Sequence, residues 1–365
     1  MLMGKKRLLV LEPYYGGSHR QFLTGLLTHL AADYSLLTLP ARKWKMRMQL
    51  SAPWFVEQIR QWPEAKRGFD AVLCSTFVDV ALLRALLAQV DGWRSGTRFV
   101  TYFHENQFAY PGQCQDLDRY QFTALNFSTA LASDCCAFNS AYNRQTFLSG
   151  VAGYLEKTSD MRLEQTCGEL KRKCQVLSPG IDGRGIDMAR RQEKSGPPII
   201  VWNHRWEHDK DPDTFFAALY QLEEEQVPFR LIVLGQSFQA KPPCFAEARV
   251  RLRERILHFG YAKSRRDYRA ILRTGDVVVS TARHEFFGLA VLEAVRAGCR
   301  PLLPHRLSYP ELFPVDYLYG DGQLLPSLRD LLDDFAPMTE KEGHALTDPY
   351  DWPHLVCRYE QLLFA

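Results

Sequence analysis

The segment that most constrains the fold runs from Asp276 to Gly298, D-V-V-V-S-T-A-R-H-E-F-F-G-L-A-V-L-E-A-V-R-A-G. Its three consecutive valines, Val277–Val279, are typical of a parallel strand that is covered on both faces. The sequence after Gly288 has helical composition and stops at Gly298, a residue suited to the position that follows a helix. A buried strand, a loop and a helix in this order predict an open α/β sheet, in which ligands bind at the carboxyl ends of the strands.

Two glutamates flank the junction between this loop and this helix. They are Glu285 and Glu293, with Gly288 between them. The free N–H groups and the dipole of a helix N-terminus favour a phosphate, and a residue without a Cβ lets the phosphate approach the backbone. Each carboxylate can then accept hydrogen bonds from hydroxyls at one end of a ligand, so the pair predicts a nucleotide-sugar site. A single glutamate here would more simply be a solvated surface charge.

The length of the chain predicts two domains, because 365 residues exceed the usual size of one core. We expect residues 1–184 and 185–345 to form the two domains. The net charge of +3 is only mildly basic, so it neither requires nor excludes a nucleic-acid partner.

The nine cysteines show neither a C-x-x-C motif nor Cys/His metal spacing. We therefore expect reduced thiols, a cytoplasmic protein and no metal site. The longest apolar stretches are too short to span a bilayer, so no membrane association is expected.

The loop after the first predicted strand, Leu8–Leu11, contains Gly16-Gly17 followed by Ser18 and His19. A glycine pair is usually a turn, but its position after the first strand favours a place facing the cleft between the domains. Ser18 is the expected N-cap of the helix that follows. We expect Ser18 and His19 to border the acceptor.

A basic segment follows the second predicted strand, S-L-L-T-L-P. Its cations and its aromatic ring are Arg42, Lys43, Trp44, Lys45 and Arg47. Four positive charges around a tryptophan suit contact with phosphates and stacking on an unpaired base. On composition alone, a solvated basic loop is the alternative.

The predicted strand R-F-V-T-Y-F ends at three polar side chains, His104, Glu105 and Asn106. Three hydrogen-bonding groups at a strand's carboxyl end predict a binding site rather than a purely structural role. His104 is expected to hydrogen-bond a sugar hydroxyl or the leaving phosphate, although an isolated histidine is more often structural. Glu105 and Asn106 are expected to contact the acceptor.

Two cations, Arg205 and Lys210, follow the first predicted strand of the second domain, Ile199–Trp202. They suit a diphosphate, since arginine offers a planar fork of donors and lysine a point charge. The alternative is a surface cluster of ion pairs with the neighbouring acidic residues.

The motif E-F-F-G-L-A-V-L-E resembles the E-x7-E signature of family 4 retaining glycosyltransferases, which have the GT-B fold. The likeness extends over nearly the whole chain, through the glycine pair, the cleft histidine and the Arg/Lys pair. It implies an α/β architecture of two Rossmann-like domains that face each other across a cleft. It also implies a terminal helix, within residues 346–365, that crosses back onto the first domain.

The resemblance implies roles for the donor site. Arg205 and Lys210 would bind the diphosphate of the donor, Glu293 its ribose and Glu285 the transferred sugar. The implied donor contacts are Gly16, Gly17, Arg205, Lys210, Phe287, Gly288, Leu289 and Glu293. The implied catalytic residues are His104, Arg205, Lys210 and Glu285.

Three further motifs, L-E-P-Y-Y-G-G-S-H, L-P-A-R-K-W-K-M-R and Y-F-H-E-N-Q, are similar to the tRNA-queuosine mannosyltransferases. Those enzymes mannosylate the cyclopentenediol of queuosine in the anticodon of aspartate tRNA. The likeness implies a tRNA partner and GDP-mannose as a substrate, without a further cofactor. We expect a metal-independent monomer that uses front-face displacement without a glycosyl-enzyme intermediate.

Two alternatives remain at this point. The first is a GT-B glycosyltransferase that acts on a lipid, a polysaccharide or a small molecule. The second is a non-catalytic RNA-binding protein on a transferase scaffold.

Overall fold

The computed structural model describes residues 5–110, 116–157, 160, 163–189, 196–237 and 242–365. The chain folds into two compact units, Met1–Gly180 with Trp352–Ala365, and Ile181–Asp351. The second unit therefore begins a few residues before the expected boundary at 184 and ends a few residues after 345. Ile181 forms a bridge with Asp351, which ties the first and last residues of this unit together.

A six-stranded parallel sheet forms the centre of the first unit. Its strands are β1 (Arg7–Tyr15), β2 (Asp33–Pro40), β3 (Ala71–Ser75), β4 (Arg98–Phe103), β5 (Cys135–Phe138) and β6 (Cys174–Val176). They lie in the order β2-β1-β3-β4-β5-β6, and every neighbouring pair is parallel. Their carboxyl ends therefore share one edge of the sheet.

Helices cover both faces of this sheet. They are α1 (Gly17–His29), α2 (Trp44–Arg60), α3 (Val80–Leu87), α4 (Asp116–Ala132), α5 (Ala141–Leu155) and α6 (Glu164–Lys173). The N-cap of α1 is Gly16, in an extended conformation and without a side-chain cap. The prediction that Ser18 caps this helix is wrong, because the helix starts at Gly17 and Ser18 lies in its first turn.

The second unit contains another six-stranded parallel sheet. Its strands are β7 (Ile199–Asn203), β8 (Arg230–Leu234), β9 (Ile256–Gly260), β10 (Val277–Val279), β11 (Arg300–Pro304) and β12 (Leu318–Tyr319). The order is β12-β11-β10-β7-β8-β9, so the valine strand β10 is central and fully buried. Position in the centre of the sheet explains why this strand carries no polar face.

The helices of the second unit also pack on both faces of its sheet. They are α7 (Gly183–Asp187), α8 (Pro212–Glu224), α9 (Cys244–Arg251), α10 (Arg265–Leu272), α11 (Leu289–Arg296), α12 (Tyr309–Leu312), α13 (Leu324–Asp333) and α14 (Glu340–Thr347). Gly298 follows α11 with φ 102°, which confirms its predicted role after a helix. Single 3₁₀ turns cover Glu64–Lys66, His208–Lys210, Val315–Tyr317 and Asp348–Tyr350.

The C-terminal helix α15 (Trp352–Phe364) belongs to the first unit. Trp352 is buried in the apolar core of that unit, together with Tyr359. The Tyr359 hydroxyl donates a hydrogen bond of 2.8 Å to the carbonyl of Ser178, and Arg98 Nε donates one of 3.1 Å to the carbonyl of Leu362. The end of the chain is therefore fixed by packing and by specific backbone contacts.

Within the described ranges, no helix has both the length and the apolar content that crossing a bilayer requires. The eight cysteines among these residues are all free thiols.

Candidate functional site

The loop between β10 and α11 is held in place from several directions. Ser280 Oγ hydrogen-bonds the Tyr309 hydroxyl at 2.7 Å, and Thr281 Oγ1 donates to the carbonyl of Lys210 at 2.8 Å. Gly288 ends the loop as the N-cap of α11, with φ 102°. A Cβ at this position would lie 3.1 Å from a ring carbon of Tyr309. Both the conformation and the close contact explain why glycine stands here.

Lys210 and Glu285 meet in this loop. Lys210 is 5% exposed, and its Nζ lies 3.2 Å from Glu285 Oε2. The same Nζ donates to the carbonyl of His284 at 2.5 Å and lies 3.2 Å from Asp209 Oδ2. The structure thus brings together two residues that the sequence separates by 75 positions.

The electrostatics of the pair keep Glu285 ionised. Burial raises the pKa of this carboxyl, but the charge of Lys210, followed by His204 and the backbone N–H of Phe287, lowers it to about 2. That N–H donates to Glu285 Oε1 at 3.3 Å. Glu285 is therefore a fixed, negatively charged hydrogen-bond acceptor at neutral pH.

His204 is a buried neighbour of this pair that the sequence analysis did not single out. It follows β7, is 5% exposed, and has no hydrogen-bond partner for Nε2 among the described residues. Burial and the charge of Lys210 lower its pKa to about 4, so its ring is neutral at physiological pH.

Glu293 lies on α11 in a separate hydrogen-bond cluster. It is 2% exposed, and it accepts from Arg265 Nη2 at 2.5 Å and from the Tyr268 hydroxyl at 2.7 Å. Asn203, the last residue of β7, donates to the same hydroxyl at 2.9 Å. The two glutamates of the motif therefore have different partners, a lysine for one and an arginine and a tyrosine for the other.

Arg205 is more exposed than Lys210 and has a different partner. Its side chain is 51% exposed and lies 3.1 Å from Glu207. A further cation of this region, Arg283, is 69% exposed and contacts Asp211 at 2.8 Å. The region therefore combines one buried cation with two solvent-facing ones.

The start of α11 has the features of an anion site. Its first turn contains no acidic residue, and Gly288 provides no side-chain cap. Phe287 is buried, while Leu289 is half-buried. The N–H groups of this turn are consequently not capped by a side chain, as the phosphate prediction requires.

In the first unit, a charged cluster lies at the carboxyl ends of β1 and β4. His19 Nδ1 lies 3.0 Å from Glu12 Oε2, and His19 Nε2 lies 3.5 Å from Glu105 Oε2. The His19 and His104 rings are 4.0 Å apart between centroids. His19 and His104 are 4% and 8% exposed, so both lie largely inside the protein.

Glu12, His19 and His104 are also a His/Glu group whose donor atoms lie within 4.8 Å of one another. Each nitrogen of His19 faces a carboxylate oxygen, which is the arrangement of a doubly protonated imidazolium. We therefore identify this group as an ion-pair cluster that holds a proton rather than as a set of metal ligands.

Asn106, in the loop after β4, has no exposed surface. Its Nδ2 donates to Asn143 Oδ1 at 2.8 Å and to Thr146 Oγ1 at 3.0 Å, and its Oδ1 accepts from the N–H of Ala109 at 3.0 Å. With these contacts Asn106 holds the loop in place. The prediction that Asn106 contacts the acceptor directly is therefore wrong. Glu105 retains 15% side-chain exposure, which leaves it accessible.

The two residues that follow the glycine pair of this unit, Ser18 and His19, differ in exposure. Gly17 has φ 50°, a conformation that favours glycine, and it begins α1. Ser18 is exposed, whereas His19 points into the charged cluster. Of the two predicted acceptor contacts in this loop, only Ser18 faces solvent.

The basic segment lies at the start of α2. Lys43 is its N-cap in a left-handed conformation, and no acidic residue occupies the first turn. Arg42 and Lys43 are exposed, and Arg47 Nε has no partner among the described residues. Trp44 packs on Phe122 with ring centroids 5.0 Å apart. Cations gathered at a helix N-terminus oppose the helix dipole, and a bound anion would relieve this repulsion.

Five residues of these sites do not stand out in the sequence: Glu12, Asn203, His204, Arg265 and Tyr268. A polar residue directly after the apolar run of a strand was an available signal for Glu12, which follows Leu8–Leu11, and for Asn203 and His204, which follow Ile199–Trp202. Arg265 and Tyr268 are three positions apart on one helix face, a spacing that does not reveal a partner on another helix.

Two family models match the chain. Residues 7–181 match the N-terminal domain of tRNA-queuosine alpha-mannosyltransferases. Residues 184–313 match the glycosyl transferases of group 1. The two matches meet at the boundary between the two structural units.

Solved structures share the fold. The structure of Anabaena HepE in complex with UDP has a TM-score of 0.69 at 12% identity, and sucrose-phosphate synthase from Thermosynechococcus elongatus has a TM-score of 0.70 at 14% identity. Each comparison covers 98% of both chains. The predicted GT-B class, with two parallel α/β units, is thereby confirmed.

Curated relatives extend the likeness to sequence. A GDP-mannose:cellobiosyl-diphosphopolyprenol alpha-mannosyltransferase from Xanthomonas oryzae is 26% identical over 51% of each chain. The tRNA-queuosine alpha-mannosyltransferase of Drosophila melanogaster is 34% identical over 334 residues, which cover 89% of this chain and 86% of the fly protein. With this identity over most of both chains, the protein belongs to the tRNA-queuosine alpha-mannosyltransferase family.

Proposed function

We propose that this protein is a cytoplasmic, retaining, metal-independent glycosyltransferase that transfers mannose from GDP-mannose to the cyclopentenediol of queuosine in the anticodon of tRNA-Asp. The observation that carries the chemistry is the buried Lys210–Glu285 pair beside the start of α11. Support for the acceptor comes from the family and from the fly relative that is 34% identical.

The departing diphosphate develops negative charge, which fixed positive groups stabilise. In this proposal, Lys210, Arg205 and the uncapped N-terminus of α11 bind the diphosphate. Lys210 is 5% exposed, and in this low-dielectric setting its charge acts more strongly than that of a solvated lysine. Charge stabilisation by these groups makes a divalent cation unnecessary.

The two glutamates hold opposite ends of the donor. Glu293, oriented by Arg265 and Tyr268, accepts from the ribose hydroxyls, and Glu285, ionised beside Lys210, accepts from hydroxyls of the mannosyl group. Retaining hydrolases instead place two carboxylates about 5 Å apart, one of them as nucleophile. Different partners for the two glutamates support a direct front-face displacement.

In that displacement, the bond between the anomeric carbon and the diphosphate oxygen breaks while the acceptor oxygen attacks from the same face. The acceptor proton leaves with the diphosphate, and GDP is released. His104 would hydrogen-bond a sugar hydroxyl or the leaving phosphate, as the sequence predicts.

The acceptor surface includes the basic segment at the start of α2. Arg42 and Lys43 would contact phosphates of the anticodon stem-loop, and Trp44 offers a ring for base stacking. Ser18 and Glu105, both accessible, are the other proposed acceptor contacts.

The test is to incubate queuosine-containing tRNA-Asp with a panel of sugar nucleotides and to measure the mass of the digested nucleosides. The proposal expects addition of one hexose to queuosine from GDP-mannose, with an unchanged rate in EDTA. Addition from another sugar nucleotide would overturn the donor assignment, and loss of activity in EDTA would overturn metal independence. Transfer to a lipid or polysaccharide acceptor instead of the tRNA would overturn the acceptor.

A further inference from the structure

Glu12 is a buried carboxylate whose position is fixed by hydrogen bonds. It lies in β1, is 2% exposed, and accepts three hydrogen bonds. The donors are the N–H of Tyr14 at 2.8 Å, His19 Nδ1 at 3.0 Å and Ser75 Oγ at 3.1 Å. A carboxylate is costly to bury, and these contacts offset part of that cost.

His19 lies between this carboxylate and a second one, that of Glu105. Its Nδ1 faces Glu12 and its Nε2 lies 3.5 Å from Glu105 Oε2, so both nitrogens carry protons. Burial lowers the pKa of His19, but the charges of Glu12 and Glu105 outweigh this effect and raise the pKa to about 10. The ring is therefore a fixed imidazolium at physiological pH.

His104 is held differently, by rings alone. Its centroid lies 4.0 Å from that of His19, 4.7 Å from that of Tyr102 and 5.0 Å from that of Phe22. No residue of the described chain hydrogen-bonds its ring nitrogens, which thus remain available to a substrate. Burial and the charge of His19 lower the pKa of His104 well below its usual value.

We propose that Glu12 is a positioning residue for His104. It acts through the His19 ring, which donates a hydrogen bond to Glu12 and packs against the His104 ring at an angle of 31°. Glu12 fixes the orientation and the charge of His19. The charged ring in turn fixes the plane of His104 and keeps it neutral, with one nitrogen able to accept and the other able to donate. This inference rests on the proposed function in one respect, namely that His104 contacts the reacting groups.

Three other titratable groups surround the cluster. Burial and the charge of Glu12 raise the pKa of Cys74, and burial raises the pKa of Tyr102, so both stay neutral. The Tyr14 ring centroid lies 6.0 Å from that of His19. The charged groups that set the state of the histidine pair are therefore Glu12 and Glu105.

The first test uses full-length protein labelled in its histidine rings, with NMR titration of His19 and His104 in wild type and in Glu12→Gln. Glutamine keeps the shape and removes the charge. We expect the pKa of His19 to fall and that of His104 to rise. Ser75→Ala is the matched control, because it removes one hydrogen bond to Glu12 but keeps the carboxylate.

The second test measures steady-state kinetics of the same proteins. For Glu12→Gln we expect kcat to fall at least about tenfold, with KM for both substrates within about twofold. We also expect a new inflection in its pH–rate profile between about pH 6 and about pH 9, where the wild-type pair does not titrate. Ser75→Ala should keep the wild-type profile.

The outcomes separate this inference from the proposed function. If wild type transfers no sugar from any sugar nucleotide, the proposed function fails, while the titrations still show whether the histidines are coupled. If wild type is active but Glu12→Gln leaves kcat and the titration of His104 unchanged, only the inference fails. Should Glu12→Gln not fold, Glu105→Gln removes the more exposed carboxylate, and the same shifts in both histidines are required.

Discussion

Lys210 Nζ lies 3.2 Å from Glu285 Oε2, with Lys210 only 5% exposed. The contact joins a 3₁₀ turn after β7 to the loop before α11. It orients a cation and an anion side by side at the edge of the sheet. In the proposed reaction, the cation binds the departing diphosphate and the anion holds the transferred sugar.

Replacement of Glu285 by glutamine should reduce kcat by about 10²- to 10³-fold, the range found when one group that stabilises a transition state is removed. Folding should be retained, because Lys210 keeps Asp209 and the carbonyl of His284 as partners. Steady-state kinetics and thermal unfolding check the two statements. Glu225→Gln, which breaks an exposed ion pair with Arg329, is the control and should be fully active. Full activity of Glu285→Gln would remove Glu285 from the mechanism.

The basic segment predicts a salt-dependent affinity for tRNA. The double replacement of Arg42 and Lys43 by alanine should weaken binding and reduce the slope of log K against log salt concentration by about 1.4 to 1.8. Filter binding over a range of salt concentrations measures this slope. Arg249 and Arg253, exposed on the second unit, provide a control of equal charge. If their replacement by alanine lowers the slope as much as the first pair does, the segment has no special role.

Gly288 and Gly298 provide a matched pair at the two ends of α11, both with φ 102°. Alanine at either position should lower stability by about 1 to 3 kcal/mol through backbone strain. Only at Gly288 would the Cβ crowd Tyr309, at 3.1 Å, and stand beside the proposed phosphate site. Calorimetry with the nucleotide sugar should therefore show a loss of affinity for Gly288→Ala. Equal affinities in the two variants would contradict the placement of the phosphate.

The stability of the second unit should depend on acid pH through His204. Its folded pKa, about 4, lies below the ordinary value of 6.5. A depressed pKa contributes stability that is present above pH 6.5 and is lost as the pH falls toward 4. Urea unfolding across this window should show the loss, and His204→Gln should reduce it. His305→Gln, at an exposed position, should leave the pH dependence as in wild type, and an unchanged dependence in His204→Gln would refute the assignment.

The strand, loop and helix of the proposed donor site could be predicted, because the sequence features that indicate them are local. Val277–Val279, Gly288 and Gly298 each reflect a requirement of one strand or one helix end, and all three are found as predicted. The Arg-rich stretch after Glu247 was less informative. Its composition is helical up to Leu257, whereas α9 ends at Arg251 and β9 starts at Ile256. Propensity alone does not show where β-pairing replaces a helix.

The partners of the site residues could not be predicted, because they come from distant parts of the chain. Ser75 is 63 positions from Glu12, and Arg265 is 28 positions from Glu293. Asn106 illustrates the same limit. Its position after a strand favoured a binding role, whereas the fold buries it against Asn143.

The measurement that tests the central claim most directly compares two forms of tRNA-Asp, one with queuosine and one with guanosine at the same anticodon position. Each is incubated with GDP-mannose and the wild-type protein or Glu285→Gln, and the nucleosides are analysed by mass. We expect queuosine to gain one hexose with the wild-type protein, the guanosine form to gain none, and Glu285→Gln to be severely slowed. Tight binding of the queuosine tRNA without any gain in mass, from GDP-mannose or another sugar nucleotide, would contradict the account and indicate a non-catalytic RNA-binding protein.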